Sequence, residues 1–173
     1  MSTSHRVLRV VMALSSLGLV ALVYAAGGGI HLLALALAVA TPYAVSRPES
    51  VAVILLLAAH AVHWVGSAPV PRGWGSWLWL LLGAWLALLV HVSAAAAVTW
   101  PSVAPVPRAA LRRWGLRTAA VALATVPVWA VAAATRDQSL RGEASMTYVA
   151  LAGLTLFGAA LYLIARQSPL ARR

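Results

Sequence analysis

Four histidines stand in or beside apolar runs of this chain: His31, His60, His63 and His91. Imidazole ligates haem iron, copper and zinc, and it exchanges protons near neutral pH. An ionisable group inside a membrane is costly, which makes each of these a functional candidate. His60 and His63 are three residues apart and share a helix face. A haem or metal would use His60, His63 and His91. Depth counts against that set. At about 1.5 Å per residue, His63 falls within about 6 Å of one end of its helix and His91 about 20 Å from the corresponding end. The two meet only if their helices tilt strongly. Neither cysteine nor carboxylate completes the set, because the chain has no cysteine and its three acids lie elsewhere. The expectation is therefore no cofactor and no metal. A neutral histidine bonded inside a helix bundle is the plainer role, at an average of about 0.6 kcal/mol per bond.

Other chemistries lack their residues. Glu49, Asp137 and Glu143 are the only acids, and all fall in turns or loops. General acid–base catalysis by paired carboxylates is therefore not expected. A proton-coupled pump usually needs a carboxylate near the midplane, and no apolar run contains one. The sequence has no H-E-x-x-H, no G-x-S-x-G and no phosphate loop with lysine. Ser15, Ser16 and Ser93 are hydroxyls inside apolar runs. Ser93 is two residues from His91 and so points to another helix face. The chain reads as a non-enzyme.

The elements that would hold these residues are membrane helices. Hydrophobic residues make up 62% of the 173 positions and charged residues only 9%, too few to cover a soluble domain. The apolar runs are continuous rather than alternating, and several approach the roughly 20 residues of a transmembrane helix. The predicted class is an all-α, polytopic helix bundle occupying residues 1–173 as one membrane domain. Six spans are predicted, at about 7–26, 30–46, 51–67, 77–99, 118–135 and 146–165. Gly27-Gly28-Gly29 should break the first long stretch into a hairpin, since each glycine costs about 1 kcal/mol in a helix and permits positive φ. The basic start and Val23-Tyr24-Ala25 resemble a cleavable signal peptide, but a second apolar run follows at once, so the first run is read as a retained span. Pro42 and Pro127 interrupt the second and fifth spans, with a kink expected at Pro127. The third run is at the short limit, and a re-entrant segment there is the alternative. Trp64, Trp74, Trp77 and Trp79 cluster around the loop after it, as expected at headgroup depth.

All thirteen basic residues are arginine. Counted on alternate sides of six spans, ten fall on one side and three on the other. That bias places both termini in the cytoplasm. Lysine is absent while alanine, valine and arginine are abundant, which fits a GC-rich bacterial genome, and the membrane expected is then the bacterial cytoplasmic one. The net charge of +10 belongs to topology and anionic lipid headgroups rather than to nucleic acid, because no soluble face is left to dock one.

The cytoplasmic loop 101–117 carries Arg108, Arg112, Arg113 and Arg117. If helical from Arg108, with Pro107 as its first position, it puts Ala110, Leu111 and Trp114 on one side and the arginines on the other. Its first role is topological. A second is to dock anionic lipid or an acidic partner through Arg108, Arg112, Arg113, Trp114 and Arg117. Gly83, Ala87, His91 and Ala95 recur every four residues and are expected to form a close-packing seam within the bundle or between subunits. These features lead to a small accessory or assembly subunit of a membrane complex, with other subunits or further copies as partners. An oligomeric transporter or channel is the alternative, and a haem or metal protein the third reading.

Overall fold

The architecture is that of a computed structural model, which describes residues 2–69, 71 and 73–134. The predicted sixth span at 146–165 lies outside the described residues, as do Arg72 and every arginine after Arg117. Five helices are described: α1 (Thr3–Ala25), α2 (His31–Ser46), α3 (Ala52–Ser67), α4 (Trp74–Thr99) and α5 (Arg108–Ala134). Contacts divide the chain into two units, Met1–Leu123 and Ala124–Arg173. The first holds α1 to α4 and the start of α5. The second is described only through the last turns of α5.

Among the described residues, α1, α4 and α5 are long and apolar enough to cross a membrane. The protein is a helical membrane protein. α2 and α3 are also apolar but have 16 residues each, a length of about 24 Å. Leu32 is 79% exposed and Val65 84%. Such faces are untenable in water and ordinary against lipid.

The glycine hairpin forms as its composition predicts. Gly27 has φ 88° and Gly29 φ 140°, values that a side chain resists. Gly28 is needed for a different reason: a Cβ there would collide with the backbone carbonyl of Ser67, the last residue of α3. The hairpin thus rests directly on the end of α3. At the opposite end of the bundle, the Ser2 amide donates to the Ser102 carbonyl at 2.9 Å, which pins the N-terminus to the segment before α5. The Arg47–Ser50 turn joins α2 to α3, and Arg47 stacks over Tyr43 at 5.6 Å.

α1 is the hub. It packs against α4 most extensively and also touches α2 and α3. Its inward residues Met12 and Leu19 join Leu37, Leu56, Val90 and Ala94 in one core. On α4 the buried line runs through Gly83, Val90, Ala94 and Ala97. Of the predicted seam, only the first member lies in the core of the bundle. Gly83 is buried and lets the Trp64 ring approach, 3.4 Å from where a Cβ would stand. Ala87 and Ala95 are half-buried, and His91 is exposed. The reason is helical phase. Four-residue steps advance 400° and drift by about 40° each, so three of them turn the stripe about 120° away. Steps of seven, four and three hold one face.

The predicted loop 101–117 is helical in its second half. α5 begins at Arg108 and runs without interruption through Thr118 and past Pro127. The Pro107 carbonyl accepts the Ala110 and Leu111 amides at 2.9 and 3.1 Å, so Pro107 caps the helix rather than entering it.

Candidate functional site

The buried polar groups gather on three helices. Ser16 of α1 lies 2.8 Å from Thr41 of α2 and 2.8 Å from Nε2 of His60 on α3. All three side chains are buried, Ser16 completely. Proton directions follow from the end of the chain. The Thr41 hydroxyl donates to the Leu37 carbonyl at 2.8 Å, one turn back in α2. Thr41 has one proton, so the Ser16 hydroxyl must donate to Thr41. Ser16 then has none to offer, and His60 Nε2–H must donate to Ser16. The order is His60 to Ser16 to Thr41 to Leu37.

That order decides the chemistry. A nucleophilic serine needs its histidine to accept its proton. Here the histidine donates, and no carboxylate joins the triplet among the described residues. The triplet is a polar clamp across α1, α2 and α3. We expect the double-mutant cycle of Ser16→Ala and His60→Ala to give a coupling of about 0.6–1.7 kcal/mol, the measured span for hydrogen bonds between membrane helices. Unfolding in mixed micelles, followed by tryptophan fluorescence, would read it. Strictly additive effects would contradict the bond.

His63 sits one turn along α3 and is fully buried. Its Nε2 accepts the Ile30 amide at 3.4 Å, which ties the glycine hairpin to α3. The neutral ring therefore carries its proton on Nδ1, the opposite tautomer to His60, and that atom is buried without a partner. Tyr24 meets the His63 ring edge-on, with centroids 6.4 Å apart. The Tyr24 hydroxyl shares a 2.9 Å hydrogen bond with Nδ1 of His31. Two of the four predicted histidines, His31 and His63, thus flank Tyr24 at the hairpin end of the bundle, and His60 lies one turn deeper on α3. His91 does not join them. No group of three or more histidine, aspartate or glutamate side chains converges among the described residues. The Nε2 atoms of His60 and His63 are both already bonded. Ser93, as its spacing implies, faces away from His91: it is buried and donates to the Leu89 carbonyl at 2.6 Å.

The other candidate site is the start of α5. Arg108, Arg112, Arg113 and Arg117 are all exposed, Trp114 is half-buried and Ala110 is buried at 4% exposure. Of the predicted apolar side, Leu111 is exposed at 37%, and Leu116 stands exposed among the arginines as well. No family model matches this chain, and neither a curated protein nor a solved structure is detectably similar to it.

The sequence reading passed over Thr41 and His5. His5 is 2% exposed, and its amide donates to Ser2, the N-cap of α1. Its Nε2 and the Nε of Arg9, one turn along, are buried without partners. A usable signal was present: His5, Arg9, Met12 and Ser16 step by four, three and four, the spacing of one inward helix face.

Proposed function

We propose that this chain is a non-enzymatic, multi-pass protein of a bacterial cytoplasmic membrane, acting as an accessory or assembly subunit of a larger membrane complex. In this reading it crosses six times and both termini are cytoplasmic. One observation carries the proposal. The first turns of α5 carry four exposed arginines, at the end of the bundle that also holds the N-terminus. The ends of the elements agree with an up-and-down order. Ser2 and Ser102 meet at one end, while Gly28 and Ser67 meet at the other. Ser16, Thr41 and His60 join three helices inside the bundle, and the exposed arginines of α5 are the surface this reading uses for recognition.

Native mass measurement after purification in mild detergent tests the proposal. The expected result is a defined assembly containing at least one different membrane subunit. Replacing the four arginines by lysine keeps the charge but removes the planar, bidentate donors, and it should weaken that assembly. A lone monomer would overturn the reading.

A further inference from the structure

We propose that the groove between α1, α4 and the start of α5 seats one acyl chain of an anionic phospholipid, whose phosphate is held by Arg108 and Arg112. The inference rests on the membrane reading above, with the start of α5 at the inner surface, and not on any partner subunit.

The groove has a volume of about 470 Å³ and is walled by Leu8 of α1, Trp85 of α4, and Leu111, Trp114, Gly115 and Ala122 of α5. Its few polar atoms are already used. Thr118 donates to the Trp114 carbonyl at 2.9 Å, Ser93 donates to the Leu89 carbonyl, and the Trp85 indole donates to the Ala122 carbonyl at 3.2 Å. Such a wall asks for an apolar occupant.

Length and charge say which one. From Leu111 to Ala122 the groove runs about 17 Å along α5. One leaflet of hydrocarbon is about 15 Å deep, half of the bilayer core. The groove therefore matches one leaflet, open to a single extended chain. Arg108 lies one turn before Leu111, at the inner mouth, and Arg112 one turn before Gly115, beside the groove's first turn. Both are exposed. Charge at this end is unmatched. Arg6, Arg9, Arg47 and the four α5 arginines face a single described acid, Glu49. A phosphodiester takes two parallel donors from a guanidinium. An anionic phospholipid satisfies wall, length and charge together.

Tryptophan quenching tests it, using phospholipids brominated along the acyl chain in mixed micelles with the full chain. The Trp114 signal is obtained by difference from Trp114→Phe. Brominated phosphatidylglycerol is expected to quench Trp114 at about tenfold lower mole fraction than brominated phosphatidylcholine. The Arg108→Gln, Arg112→Gln double variant should erase that preference. Gly115→Leu should abolish Trp114 quenching by both lipids, because a side chain there meets no neighbouring atom and fills open space. Ala119→Leu fills the same groove and serves if Gly115→Leu does not fold. Three results would overturn the proposal. Equal quenching of the unmodified protein by both lipids removes the anion site. No quenching of Trp114 by either lipid means another occupant, such as the apolar run 146–165 or a second copy. A preference that survives groove filling means surface charge alone.

Discussion

Gly28→Val is expected to destabilise the bundle more than any other glycine substitution in the hairpin. Its added Cβ would meet the Ser67 carbonyl, a backbone atom that cannot rotate away. The hairpin would have to lift from the end of α3. The amide of Ile30 would then lose His63, and Tyr24 its packing beside His31 and His63. Overpacking of this kind costs about 1–3 kcal/mol, and the loss of buried bonds puts Gly28→Val at the upper end. Gly75→Ala supplies the contrast. Gly75 lies within α4 with nothing near its Cβ position, so alanine should be neutral or stabilising by up to about 1 kcal/mol. Unfolding by sodium dodecyl sulfate in mixed micelles, followed by tryptophan fluorescence, measures both. Equal midpoints for the two variants would contradict the packing of the hairpin on α3.

Replacing Arg108, Arg112, Arg113 and Arg117 together by glutamine is expected to disturb the insertion of α5. In the proposed six-span topology the variant keeps six inside arginines against three outside across the whole chain, so α1 to α4 should stay in place. The balance around α5 changes sign. Four arginines lie in its first turns and two, Arg136 and Arg141, follow it; the variant leaves none against two. Positive charge within about 15–20 residues of a span sets its direction. A substantial fraction of molecules should therefore carry the 101–107 segment on the wrong side or leave α5 out of the bilayer. The protein has no cysteine, so Ser102→Cys gives a clean reporter for labelling by an impermeant maleimide. Unchanged protection of this cysteine in the glutamine variant would show that packing, not charge, sets the direction of α5.

Much of the fold is legible because single residues act locally. Three consecutive glycines end α1 whatever surrounds them, and Pro48 ends α2 at Ser46. The start of α5 is legible as well, since Pro107 and the arginine spacing both mark a helix beginning at Arg108. Helix phase was less accessible. In a chain this rich in alanine, the Gly83, Ala87, His91, Ala95 spacing fits a stripe on paper, but the helix turns it away from the core. Only the large neighbours reveal the buried side: Trp64 over Gly83, and Val90 against α1. The clamp was hidden for another reason. Ser16, Thr41 and His60 are separated by 25 and 44 residues along the chain, and one-dimensional spacing says nothing about which helices meet. What the sequence does show is that each is a polar residue within an apolar run, which marks them as needing partners without saying which.

The pattern of sidedness is the most direct test of the account as a whole. Single cysteines at Glu49, Pro69 and Ser102 mark three successive connections, all at exposed positions. In right-side-out membrane vesicles, an impermeant maleimide is expected to label Pro69→Cys at once. Glu49→Cys and Ser102→Cys should react only after permeabilisation. Labelling of Ser102→Cys in sealed vesicles would place the arginine ridge outside, and the same accessibility for Glu49→Cys and Pro69→Cys would mean that α3 does not cross.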